Sequence, residues 1–236
     1  MMYIASVFAQ LEREVIAERI RDNMHELAKT GRWLGGSTPT GFRAERYDLV
    51  QVLEKNKDNQ LEKKVKNACK LIEDISEKKI ILDMANIFLE KKSLTGAETE
   101  LMNRNILSRT GVYFSTGRIR AVLTNPVYAT YDEVTEKYFN ENNIELYVSD
   151  EKRGIYGKYG LIAYNKTDYG TIKDKSEWIV AVGEHSGFLK GSDWVKIQDI
   201  IDKNKDKRYR ASNRTNNALL SGILRCDCCG SFMRPK

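Results

Sequence analysis

The sequence predicts a mainly helical α+β fold, and three observations carry that prediction. Apolar residues recur at three- and four-residue intervals from the N-terminus to Leu27, two helical segments flank a glycine turn within residues 93–123, and short strand-like runs fall within 144–182. The 236 residues suffice for one or two domains, and 41% hydrophobic with 31% charged residues is the balance of a soluble globular protein. No apolar run approaches the ~18 residues of a membrane span, and the N-terminus is amphipathic rather than a signal peptide. A cytoplasmic setting without a membrane partner is therefore expected. The net charge of +6 and the pI near 9.0 favour a polyanionic partner without choosing among DNA, RNA and a membrane surface.

The chain divides on pattern into residues 1–30, 31–43, 44–206, 207–217 and 218–236. In the first segment Ile4, Val7, Phe8, Leu11, Val15, Ile20, Met24 and Leu27 form one stripe of a long helix, with Arg13, Arg19, Arg21 and Lys29 outside it and Gly31 at its end. About thirty residues at 1.5 Å each make a rod of roughly 45 Å, too long to be buried in one small domain. Part of the stripe must meet another partner. Residues 31–43, with Arg32, Trp33, Gly35 and Gly36, combine glycines and a basic residue and read as an extended arm.

A polar, irregular lead-in follows to residue 60. Apolar positions across 61–91 then predict one long helix or two helices broken near Ser76, with Cys69 as a buried, inert thiol. Thr95 and Glu98 have the spacing of a capping box opening a helix that runs to about Asn105. After a loop around Gly111, Ser115 and Thr116 start a second helix, stopped at Asn125-Pro126, which displays Arg118 and Arg120. This is the plan of a helix-turn-helix reader, and equally that of a plain helical hairpin with solvated arginines. Residues 132–142 read as a short helix, and 144–148, 159–164 and 177–182 as strands. The tyrosines beside Lys152, Arg153, Lys158 and Lys166 could track a nucleic-acid backbone or belong to solvated turns.

A helix over 191–203, capped by Ser192 or Asp193, leads to a basic, Asn-rich linker. Near the end, Cys226 and Cys229 are spaced C-x-x-C and followed by Gly230, the arrangement of a zinc knuckle. They supply two of four ligands, and Cys228 is a third thiol that leaves the ligand choice open. No Ser/His/Asp set, phosphate-binding loop or dinucleotide fingerprint can be assembled, and neither His25 nor His185 has a second histidine nearby.

Two stretches carry a family resemblance. AQLEREVIAERIRDNM (residues 9–24) followed by GRWLGGSTPTGF (31–42) resembles the end of the catalytic domain of the large serine recombinases, the serine integrases and transposases of the resolvase/invertase superfamily. IRAVLTNPVY (119–128) resembles the helix that closes their recombinase domain, with Arg118, Ile119, Leu123, Asn125, Pro126 and Tyr128 at matching positions. Trp178 to His185 and Trp194 to Asp202 are in the same idiom.

The resemblance implies a long N-terminal helix, a small helical DNA-binding bundle with a minor mixed α/β part, and the start of a zinc ribbon, with zinc as the metal. It further implies a bacterial, DNA-associated chain from a mobile element that serves integration, excision or transposition, binds one double-stranded attachment-site half, and self-associates as dimer and tetramer. The parent would be a site-specific recombinase enzyme. The nucleophilic serine would lie ahead of residue 1, since Ser6, Ser37 and Ser115 are out of its context. No catalytic residue is therefore expected here, and this chain alone should be inactive. Arg19, Arg21 and Lys29 are expected on phosphates, Arg32, Trp33, Gly35 and Gly36 along the minor groove, Arg118 and Arg120 at major-groove base edges, and Cys226 and Cys229 on the metal. Two other readings compete: a helix-turn-helix transcriptional regulator with a dimerising N-terminal helix, and a structural coiled-coil protein.

Overall fold

The computed structural model of the chain describes residues 2–55, 61–168, 171–209 and 227–228. It is a mixed α+β structure, as the sequence predicts. Helix α1 (Met2–Lys29) leads through residues 30–41 into an antiparallel ribbon of β1 (Phe42–Lys55) and β2 (Leu61–Glu73). Three helices follow, α2 (Ile75–Lys91), α3 (Leu94–Asn103) and α4 (Thr116–Leu123), then a 3₁₀ turn at Pro126–Tyr128 and α5 (Glu133–Glu141). The remaining strands are β3 (Leu146–Tyr147), β4 (Leu161–Tyr164), β5 (Thr167–Asp168), β6 (Thr171–Ile172) and β7 (Ile179–Val182), before α6 (Gly191–Tyr209). β7 is the middle of a three-stranded sheet, parallel to β3 and antiparallel to β4. The chain divides into two compact units, Met1–Asp199 and Ile200–Lys236, the described part of the second being the end of α6 and residues 227–228.

Two expectations need correction at the ribbon. Residues 43–55 are not an irregular lead-in, and 61–73 are not helical: they pair from Phe42↔Glu73 to Lys55↔Leu61. Leu61, Val65, Ala68, Leu71 and Ile72 happen to fit a helical period, but pairing with β1 supplies the backbone partners that a helix would otherwise provide. Cross-strand chemistry supports the register, with Lys70 Nζ 2.9 Å from the directly opposed Glu45 carboxylate and over the Tyr47 ring. Cys69 is half-buried on a strand, with Trp33 bridged to its other edge.

The helix expected after Ser76 begins at Ile75, because the Asp74 carboxylate caps it by accepting from Ser76 N and Glu77 N. Ser76 and Arg43 hold that carboxylate in its charged form and lower its pKa to about 2. At α3 the cap is Ser93, whose hydroxyl accepts from Gly96 N, so the helix starts ahead of the expected Thr95–Glu98 box. At α4 it is Ser115, as expected. Neither Ser192 nor Asp193 caps α6. The helix starts at Gly191, and its first N–H donates to Asp132 Oδ2 at 2.9 Å, while Oδ1 of the same carboxylate accepts from Thr135 N at the head of α5. α6 continues to Tyr209, beyond the expected Lys203.

Burial follows these elements. α2 places Ile81, Met84, Ala85 and Phe88 against Ala97 and Leu101 of α3 and Ile119 and Leu123 of α4. Trp194 of α6 packs edge-on to Tyr138 and beside Phe139 of α5, ring centroids 5.4 and 5.8 Å apart. Gln198, also on α6, is 1% exposed and donates to the Leu123 carbonyl at 2.9 Å, satisfying an acceptor that the end of α4 leaves open. The C-terminal end of α4 is thereby tied to α6.

Candidate nucleic-acid interface

The segment between α1 and β1 is fastened to the body rather than free. The Tyr164 hydroxyl, on β4, accepts from Leu34 N and donates to the Arg32 carbonyl, both at 2.8 Å. Burial lifts the pKa of this phenol to about 12, so it keeps its proton and both roles at neutral pH. Downstream, Arg109 from the α3–α4 loop forms a two-bond pair with Glu77 (2.7 and 2.6 Å) and reaches Thr38 Oγ1 and the Phe42 carbonyl. Glu77 also accepts from Gly41 N at 2.7 Å, and the Tyr128 hydroxyl donates to the Thr40 carbonyl. The guanidinium, with the Gly41 N–H, draws the Glu77 pKa down against the opposing effect of burial. Phe42, fully buried, ends the segment by stacking on Phe188 at 4.4 Å.

Gly31 fits only as glycine. Its φ is +72°, and a Cβ there would lie 2.0 Å from the Val182 carbonyl oxygen, where the chain leaves α1 across β7. Gly35 and Gly36 also have positive φ, but with open space around them. They form the part of the segment that a narrow groove could admit.

Between this segment and the helical bundle lies a cleft of about 650 Å³. Ser37 to Thr40 form one wall, Arg118, Ala121 and Val122 of α4 another, and Trp33, Ile162 and Tyr164 contribute apolar surface. Arg109, Asn125 and Lys166 complete the polar lining. Lys166 donates to Asn125 Oδ1 at 3.1 Å, and burial lowers its pKa. An open cleft with this charge suits an anion carried on an extended polymer.

The structure brings some expected contact residues together and separates others. Arg118 is exposed in the cleft, and Trp33 lines the same space. Trp33 is an anchor as well, half-buried, 6.3 Å from the Tyr164 ring, with its Nε1 buried and unpartnered among the described residues. Arg32 is likewise half-buried, its Nε without a partner there. Arg120 points away from Arg118, half-buried, with its carbonyl closing the α4 C-cap on Thr124. Arg19 and Arg21 stand exposed on α1. Lys29 is engaged: its ammonium lies 2.6 Å from Glu26, the bond that raises its pKa, and over the Tyr147 ring.

Cys226 and Cys229 lie outside the described residues, as does most of the expected 207–217 linker, and Cys228 is an exposed free thiol. No group of three or more His, Cys, Asp or Glu side chains that could hold a metal occurs among the described residues. No helix among them is long and apolar enough to cross a membrane.

Sequence reasoning missed Arg109, Glu77 and Tyr164, and saw Tyr128 only as a position matching the family, without its structural role. Each acts through a partner 32 or more residues away, so no local spacing marks it. Asn125 was visible as a helix stop and as a position matching the family, but not as part of the cleft lining.

A family model, Recombinase, matches residues 75–204, more than half of the chain. The chain belongs to the Recombinase family. The matched domain includes Glu77, Arg109, α4, Asn125 and Lys166, one side of the cleft, while α1 and the segment carrying Trp33 to Thr40 lie ahead of it. This is the domain to which the sequence resemblance pointed. A comparison with curated proteins finds no match. Among solved structures, the chain is similar to one described as a crystal structure of an LSR–DNA complex, at 16% identity and TM-score 0.45, over 91% of this chain and 48% of the other. A second comes from work on the sequence requirements of the Listeria innocua prophage attP site, at 15% identity and TM-score 0.44, over 91% and 63%. The chain thus spans less than two thirds of the length of either structure.

Proposed function

We propose that this recombinase domain, with α1 and the arm ahead of it, is the DNA-gripping part of a large serine recombinase and binds one attachment-site half. The family match over residues 75–204 carries the reading. The geometry supplies the means: Gly35 and Gly36 sit where a slim backbone can follow a minor groove, and Arg118 stands on the exposed face of α4 beside the same cleft. Arginine there can meet guanine through two parallel hydrogen bonds. Arg19 and Arg21 would add phosphate contacts that carry no sequence information.

Strand exchange would be performed by the parent enzyme with a serine nucleophile outside this sequence; Ser115 is occupied as the cap of α4. Purified alone, the chain should leave an attachment-site duplex uncut and form no covalent adduct. Cys226 and Cys229 would contribute two thiolates to zinc, so metal analysis of this chain should find weak binding or sites shared between chains.

The function is tested by selecting duplexes from a randomised library with the purified chain, then titrating the enriched duplex and a scrambled version by fluorescence anisotropy. Preferential binding that weakens as salt rises is expected. A library that shows no enrichment would reject sequence-specific binding.

A further inference from the structure

We infer that one strand of the DNA duplex passes through the cleft, with a backbone phosphate seated on Lys166 and the side-chain amide of Asn125. This rests on the DNA-binding reading above and adds to it a residue far from the recognition helix in sequence. The lysine is held in a way that a structural lysine would not be. Its ammonium lines the cleft, its one described bond is to the Asn125 amide oxygen, and it makes no ion pair among the described residues. A half-buried cation with no anion beside it among the described residues carries a desolvation cost that an incoming negative charge would offset.

Asn125 is oriented for the same purpose. Its Oδ1 meets both Lys166 Nζ and Val127 N, which turns the amide nitrogen away from those donors as a second one for the same anion. Arg109 lines the cleft too, but its charge is committed to Glu77. Arg118 and Lys166 are therefore its uncompensated cations among the described residues. The apolar surfaces of Trp33 and Tyr164 suit a deoxyribose between phosphates.

Two variants test this, each of which should fold at least as well as the parent. Lys166→Met removes the charge and keeps the length of the side chain. Asn125→Asp keeps the cap on the 3₁₀ turn, since aspartate caps as well as asparagine, and gives Lys166 an internal anion. Both should show an unchanged or raised thermal midpoint. Both should bind enriched and scrambled duplexes about fivefold to tenfold more weakly at moderate salt, and flatten the slope of log K against log salt by about 0.9, the signature of one lost phosphate. Folded variants with unchanged affinity and slope, beside a parent that binds DNA, would overturn this inference alone. A parent that binds no duplex would overturn the proposed function and this inference with it. Calorimetric binding of inorganic phosphate that Lys166→Met abolishes, with DNA binding untouched, would reassign the cleft to a free anion and overturn the proposal.

Discussion

Arg118 and Arg120 are two residues apart on one helix and so face different ways, and their surroundings separate their roles. Arg118 is exposed at the cleft, whereas Arg120 is half-buried. Arg118→Ala should therefore cost ~1 to 3 kcal/mol on the enriched duplex and narrow its advantage over the scrambled one, while Arg120→Ala should change that ratio less. Anisotropy titrations of the two variants decide the order. His185 offers a second test at the same scale. It is 5% exposed, donates from Nε2 to the Val127 carbonyl at 2.9 Å, and leaves Nδ1 buried without a partner among the described residues. Burial, the largest cause, pulls its pKa down to about 4. The unfolded chain, with its histidine near 6.5, takes up a proton that the fold refuses. Stability is thus complete above about pH 6.5, falls by roughly 3 kcal/mol as pH drops toward 4, and levels off for this group below that. Urea midpoints across this window should decline in the parent and stay flatter in His185→Gln, whose amide can still donate to Val127.

Most helices here are capped by the residue just ahead of them, such as Asp74, Ser93 and Ser115, but α6 borrows its cap from the head of α5. Asp132 caps α5 through one oxygen and α6 through the other, and its charge suits the positive end of both helix dipoles. Gly191 is required by the same contact, because a Cβ there would lie 2.1 and 2.4 Å from the two carboxylate oxygens. Loss of an ordinary cap costs ~0.5 to 2 kcal/mol, and Asp132→Ala removes two, so a loss of about 1 to 4 kcal/mol is expected. Gly191→Ala should lower the thermal midpoint as well, and Asp132→Asn less than Asp132→Ala, because asparagine keeps one acceptor. Equal midpoints for parent and Asp132→Ala would show that water caps these helices as effectively. The ribbon illustrates the converse: β2 carries a helix-like apolar spacing but is a strand because β1 pairs along its whole length.

At the scale of the molecule, α1 divides into a docked end and an exposed length. Ala28 is 1% exposed at the β7 crossing, whereas Phe8 is 69% exposed, with Val7, Leu11, Ile16 and Ile20 also in the open. Exposed apolar side chains along such a length of helix in water call for a partner. A second copy of α1 is the partner expected from the family resemblance. Sedimentation should show concentration-dependent association, abolished by Phe8→Glu together with Leu11→Glu, with the melting of the domain little changed because that length of α1 is outside the core. A parent chain that remains monomeric at high concentration would assign this length of α1 to another partner.

The sequence by itself determined the long first helix, the glycine-rich segment after it, the short helix displaying Arg118, and the strand pieces around Leu161 and Val180. Each rests on interactions within a few residues: apolar periodicity, a serine cap, a proline stop, β-branched alternation. The family was legible for the same reason, as ordered local runs. What only the tertiary structure decided is how those pieces are joined. The clamp of Tyr164 on Arg32 and Leu34 spans 130 or more positions, the Arg109–Glu77 pair 32, and Gln198 reaches Leu123 across 75. Hydrogen bonds and charge pairs between distant residues leave no period in the chain. The ribbon, the trans cap on α6 and the cleft around Lys166 emerge only when folding brings their donors and acceptors within reach.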